Sequence, residues 1–221
     1  MKYLKKNFLL LLLAIGVFSI SACGEEKQME GQNAEPTAAP AEKEAAENQT
    51  VEKNRAIYTP SDWLDEGDQI VSNTFATLSS HLKSALQRGG VQEAVQYCHL
   101  NAYPLVDSLS RVHRASIRRI SLKVRNPEDL PDRFEERALN RAQKMLAEGK
   151  TIEPWVEHYP EETAYYAPIY VRDLCLKCHG TPGKTISSED YDLIKKLYPE
   201  DEAIGYQEGD WRGLWSIRFV R

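Results

Sequence analysis

The chain has 221 residues, with 28 Lys and Arg against 33 Asp and Glu, and a formal net charge of -5. An acidic balance lacks the electrostatic footprint of a protein that binds nucleic acid or anionic membrane. The length suits one domain and a tail, and the sequence contains no internal repeat.

The N-terminus has the layout of an export signal. Lys2, Lys5 and Lys6 precede an almost continuous apolar run from Phe8 to Ile20, too short for a comfortable membrane span. Ile20-Ser21-Ala22-Cys23 resembles the lipobox of bacterial lipoprotein signals. That resemblance implies cleavage after a signal peptide of residues 1–22, lipid on Cys23, and a membrane-anchored protein facing the periplasm. Gly24 favours the outer membrane over the inner by resemblance to enterobacterial sorting. An uncleaved signal anchor is the alternative. Losing residues 1–22 removes three lysines and takes the formal charge from -5 to -8.

Residues 23–56 combine Glu, Ala, Gln and Asn with Pro36 and Pro40 and contain no aromatic side chain. Such a segment cannot bury enough apolar surface to offset its ordering entropy, so it reads as a disordered, acidic, lipidated linker. The run 41–51 has some helical propensity. Residues 57–221 then form one domain.

Ser61-Asp62 marks a helix start. Leu64, Val71, Phe75, Leu78, Leu82 and Leu86 recur at helical spacing, and Gly89-Gly90 ends the run. A second helix begins near Val91, with Val91, Ala94, Val95 and Cys98 at i, i+3, i+4 and i+7. Cys98 therefore sits on the buried stripe, and His99 points about 100° away. Pro104 interrupts the pattern, and Leu105, Val106, Leu109 and Val112 indicate a further short helix.

Ile120, Leu122 and Val124 alternate with Arg119, Ser121, Lys123 and Arg125, which predicts a half-buried strand with a basic outer face. Asn126-Pro127 turns the chain, and a helix runs from Pro131 to Gly149. Trp155–Tyr159 and Thr163–Val171 read as strands, Ser188–Leu197 as a short helix, and Leu214–Val220 as a final strand. Helices followed by strands mixed with helices argue for α+β with an antiparallel sheet.

Between the last two of these strands stands Cys175-Leu176-Lys177-Cys178-His179-Gly180. Cys-x-x-Cys-His is the attachment signature of a c-type haem: two thiols add to the vinyl groups and the histidine binds iron. A zinc site needs a second Cys/His pair at similar spacing, which the sequence lacks. A thioredoxin-like Cys-x-x-Cys has no need of the histidine. The cofactor is therefore one covalent haem c on Cys175 and Cys178, with His179 as iron ligand. Export agrees with this, because bacterial haem c attachment takes place outside the cytoplasm.

Cys23 is assigned to lipid and two cysteines to haem, which leaves Cys98 as a candidate second ligand, a partner in an intermolecular disulfide, a free reactive thiol or a small buried hydrophobe. His99 is the next candidate, with Met145 and His158 behind it. His81 and His113 read as surface or cap residues. Arg119, Ser121, Arg125 and Arg212 are candidate haem-pocket contacts, the arginines pairing with propionates. A solvated strand face is the alternative for that row. Trp155, Trp211, Trp215 and Tyr165-Tyr166 read as core or haem packing.

Four strings stand in a telling order: Glu93-Ala94-Val95-Gln96-Tyr97-Cys98, Arg119-Ile120-Ser121-Leu122-Lys123-Val124-Arg125-Asn126-Pro127, the haem motif, and Gly209-Asp210-Trp211-Arg212-Gly213-Leu214-Trp215-Ser216. Together they resemble a bacterial family of haem c domains of unknown function with a PAS-like fold, over most of residues 61–221. The resemblance implies a PAS-like antiparallel sheet with N-terminal helices, and Cys98 and His179 as the two axial ligands. Cys98 is followed by His99, so either remains open as the distal ligand.

Thiolate donation stabilises ferric iron, so a Cys/His pair implies a low reduction potential, where Met/His would raise it. Two protein ligands leave no open position for ordinary turnover. The leading expectation is a redox or diatomic-gas sensor tethered in the periplasm, with an unidentified signalling or redox partner. A low-potential electron-transfer cytochrome is the alternative. An enzyme such as a peroxidase would need a vacant site and distal acid–base groups.

Overall fold

The computed structural model describes residues 57–220 and, before them, residues 45, 47, 49–51, 53 and 55. The signal peptide, Cys23 and the linker as far as residue 44 lie outside the described residues. Described positions between 45 and 55 are helical. Arg55, on the linker side of the expected boundary, is 8 % exposed and pairs with Glu66. It also donates to the carbonyls of His113 (3.1 Å) and Arg114 (2.9 Å), so packed structure reaches at least to this residue.

Helix α1 spans Pro60–His113. It opens on a capping box in which Thr59 and Asp62 satisfy each other's backbone N–H groups, with Pro60 in the first turn. Gly89 and Gly90 leave helical geometry, Gly90 with φ +67°, so α1 is two helices joined at a kink where the sequence placed the break. Pro104 does not end the second half, contrary to expectation. The bond it forfeits belongs to the carbonyl of Leu100, a residue 68 % exposed, where water can take the place of the missing N–H.

Strands β1 (Ser116–Ile120), β2 (Trp155–His158), β3 (Glu162–Tyr170) and β4 (Trp211–Val220) form an antiparallel sheet in the order β1-β4-β3-β2. Helix α2 (Arg133–Ala147) begins at a second capping box, Asp132 with Glu135. The sheet is covered on both faces. Tyr165, Ala167, Trp215, Ile217 and Phe219 pack with Trp63, Ile70 and Val106 of α1. Ala164, Tyr166 and Leu214 alternate to the other face and meet Ala138, Leu139 and Ala142 of α2. Each fully buried Leu or Ile here contributes about 1.5–3 kcal/mol. Gly67 lets α1 approach the sheet: a Cβ there would overlap the ring of Tyr165, whose hydroxyl donates to Asp68.

The strand expected around residues 119–125 is displaced. β1 pairs with β4 from Ser116 only to Ile120, which stands opposite Leu214. Beyond it Ser121 is drawn into side-chain bonds, accepting from the Lys123 N–H (3.1 Å) and donating to the Arg212 carbonyl (2.7 Å). These local bonds compete with the ladder and turn the chain out of the sheet. Leu122 is exposed as a result, and Arg125 is turned inward rather than lying on a solvated strand face. After β3 the chain forms α3 (Asp173–His179) and α4 (Ser188–Leu197) before returning as β4.

Candidate functional site

Helix α3 is short and held from outside. Val171, just before it, donates to the Asp210 carbonyl (2.9 Å) and accepts from Gly209 (2.9 Å). At its other end the loop before β4 runs alongside: Gly205 donates to the Gly180 carbonyl (2.8 Å) and Tyr206 to the His179 carbonyl (3.0 Å). Gly180 is required by space, since a Cβ would meet Thr185 Oγ1 and lie 2.6 Å from the Leu176 carbonyl. Behind α3, Cys178 packs on a cluster of Val95, Ile186, Ile194 and Tyr198. The motif is thereby fixed against the second half of α1 and against α4.

His179 Nδ1 lies 2.8 Å from the carbonyl of Ala203. A carbonyl only accepts, so Nδ1 carries the proton and Nε2 keeps its lone pair. Burial holds the imidazole well below its usual pKa, and Arg125 and Arg212 act in the same direction, so the ring is neutral. A neutral imidazole whose distal N–H is engaged by a carbonyl is the arrangement metal-binding histidines use.

Cys98, Cys175, Cys178 and His179 line one cavity of about 300 Å³. Its apolar lining includes Leu78, Leu82, Ala94, Val124, Leu174 and Trp215. Burial pushes the Cys98 thiol up, partly opposed by Arg119 and Arg125. Burial likewise raises Cys178 to about 11, with Arg125 opposing and Cys98 adding to it. His99 does not line the cavity; its exposed ring packs edge-on to Tyr198 with centroids 5.1 Å apart. Met145 packs with the α2 core, and His158 Nδ1 bonds Thr163 Oγ1 at 3.1 Å, so neither shares the cavity. His81 bonds the Tyr97 hydroxyl (2.9 Å).

The chain matches the Tll0287-like family over residues 35–219. It belongs to that family. The crystal structure of the cyanobacterial haem protein Tll0287 has the same fold, with a TM-score of 0.52 at 21 % identity, covering 74 % of this chain and 98 % of that one. No curated protein matches the chain.

In this Tll0287-like chain the four polar residues singled out in sequence divide into two kinds. Arg119, Ser121, Arg125 and Arg212 all line the cavity. Arg125 is already engaged: it pairs with Asp201 through Nε (3.1 Å) and Nη2 (3.0 Å) and donates to the Cys178 carbonyl. Arg119 and Arg212 have no carboxylate partner among the described residues. Arg212 instead donates to Ser121 and stacks over Tyr206, 5.3 Å from its centroid. Burial lowers its pKa, with Tyr206 and Asp201 opposing and the neighbouring Arg125 and Arg119 adding to it.

Sequence reasoning missed Asp201, Ala203 and Tyr206. All three lie in the loop before β4, where no periodicity or motif exists to mark them. The one available signal was an Asp two residues before Ala203 in an otherwise featureless turn, which is too common to single out.

Proposed function

We propose that this chain is a haem protein carrying one covalent haem c, held in a PAS-like sheet domain, and that it acts as a redox or diatomic-gas sensor. The observation that carries the reading is the single cavity that gathers Cys98 with the Cys-x-x-Cys-His helix. Among the described residues no three His, Cys, Asp or Glu side chains converge as a bare metal ion would require. Thiols and an imidazole spread along an apolar cavity suit a metal carried inside a macrocycle instead. The haem protein of the same fold supports this reading.

On this reading Cys175 and Cys178 would attach the haem, His179 Nε2 and the Cys98 thiolate would bind its iron, and Arg119 and Arg212 would pair with its carboxylates. Arg125 is excluded from that last task by its engagement with Asp201. When bound, the haem supplies a one-electron couple, biased by a thiolate donor toward the ferric state. Export, a lipid on Cys23 and a periplasmic, outer-membrane position rest on the N-terminal sequence; Cys23→Ser should release the protein from the membrane fraction.

The deciding experiment is intact mass under denaturing conditions, on protein made in a host with haem-attachment machinery. The expected mass is polypeptide plus one haem, lost in Cys175→Ala with Cys178→Ala. Haem that extracts freely into acidified organic solvent would overturn the covalent assignment. Carbon monoxide binding on reduction supports sensing, whereas unchanged ligation in both oxidation states favours an electron carrier.

A further inference from the structure

We infer that Asp201 and Arg125 are positioning residues that set the orientation of the His179 ring, an inference that rests on the haem reading above. The two residues join segments far apart in sequence: Arg125 follows β1, Asp201 follows α4, and the motif lies between them. The Asp201 carboxylate is 0 % exposed and the Arg125 side chain 14 %. Asp201 accepts from Arg125 Nε (3.1 Å), from Arg125 Nη2 (3.0 Å) and from the backbone N–H of Ala203 (2.8 Å). Arg125 Nη2 also donates to the carbonyls of Cys178 and Ala203, the latter at 3.4 Å.

The consequence lies at Ala203. Its N–H is fixed by Asp201, and its carbonyl receives Arg125 and, at 2.8 Å, His179 Nδ1. A carbonyl has two lone pairs and can serve both donors. The Cys178 carbonyl, also held by Arg125, belongs to the peptide that leads into His179. One ion pair therefore grips the ring through its acceptor and the backbone through the preceding peptide. A buried ion pair is a poor source of net stability, because desolvation cancels most of the attraction. Its use here is geometric: it fixes the partner that selects the tautomer and basicity of a ligating histidine, a contribution worth 10–100-fold in affinity or activity at known metal sites.

The test uses charge-conserving variants of the full chain, so that electrostatics and geometry separate. Arg125→Lys keeps the positive charge and cannot reach the carboxylate and both carbonyls. Asp201→Glu keeps the negative charge and displaces the carboxylate from the Ala203 N–H. The readout is the His179 tautomer by long-range proton–nitrogen NMR of haem-free protein, assigned with His179→Gln. Wild type should show a single Nδ1–H tautomer, and both folded variants should lose it to a mixture. In haem-loaded protein the ferric electron-paramagnetic spectrum should pass from one set of g-values to several. An unchanged tautomer in both variants, or an Nε2–H tautomer in wild type, would overturn the inference. So would the unfolding of both variants, since the pair would then hold the fold and not the ring. Absence of haem mass from wild type overturns the haem reading separately, and the tautomer result still decides this one.

Discussion

Cys98 and His99 are sequence neighbours that part company in space: the thiol lines the cavity, while the imidazole rests edge-on against Tyr198, 5.1 Å between centroids. Successive helical residues point about 100° apart, so one helix cannot offer both to the same iron. Cys98→Ala should therefore abolish sulfur-to-iron charge-transfer bands in the ferric spectrum and raise the reduction potential. His99→Ala should leave the bands and the potential in place. Bands that vanish only in His99→Ala would move the ligand to His99.

Gly180 closes α3 at a point with no room for a side chain. Ala at this position meets Thr185 Oγ1 and the Leu176 carbonyl. Gly180→Ala should cost about 1–3 kcal/mol, as overpacking typically does. Thermal unfolding should show it, at about 2–4 °C per kcal/mol for a chain of this size. Adding Thr185→Ala removes the Oγ1 clash and leaves the residue 185 Cβ and the Leu176 carbonyl in the way, so recovery should be partial. Full recovery would place the strain at Thr185 alone.

Much of the fold was legible because its elements are marked by strong local chemistry. The two halves of α1 and the break between them follow from apolar spacing and Gly89-Gly90, and α2 from its start at Pro131 and its stop at Gly149. The α+β class and the order of the strands' appearance were legible too. The misplaced strand shows the limit. Ile120, Leu122 and Val124 alternate as a strand should, yet Ser121 bonds Lys123 and Arg212 and turns the chain away after Ile120. That competition depends on Arg212, 91 residues away, and no local pattern encodes it. The same holds for the site. The motif names Cys175, Cys178 and His179 from spacing alone, whereas Asp201 and Ala203 acquire meaning only once the loop before β4 lies along the helix. Arg125 was legible as a site residue but not in its task, because its partner Asp201 is 76 residues distant.

Asp132 ties acid stability to the α2 cap. Burial pushes its carboxyl up, but bonds from Arg218 and from the N–H groups of Glu135 and Phe134 outweigh that and bring it to about 2. An unfolded Asp titrates near about 3.9. The folded value is the lower one, so the stabilisation is complete above about pH 4 and is lost as pH falls toward about 2. The side chain is 40 % exposed, and solvent screening limits the contribution to about 1 kcal/mol or less. Asp132→Asn keeps a capping oxygen and removes the charge. Denaturant melts should find it less stable than wild type at pH 6, with the gap closing by pH 2. A gap independent of pH would assign the loss to packing.

The final prediction separates sensing from electron transfer. Burial raises the Cys98 thiol above its ordinary value, against the pull of Arg119 and Arg125, so away from iron the group is a protonated thiol through the neutral range. In the proposed haem site, ferric iron would bind it as thiolate. If Cys98 leaves the iron on reduction, it must take up a proton, and one electron is then coupled to one proton. The midpoint potential should fall by about 59 mV for each rise of one pH unit, the one-electron equivalent of a tenfold change. The slope should persist up to the raised thiol pKa and flatten above it, where the freed group stays ionised. A potentiometric titration from pH 6 to pH 8 measures this directly. Cys98→Ala should flatten the slope within that range. A wild-type midpoint that ignores pH means the thiolate stays on iron in both oxidation states. The site would then have no position for a gas to enter, and the electron-carrier reading would replace the sensor.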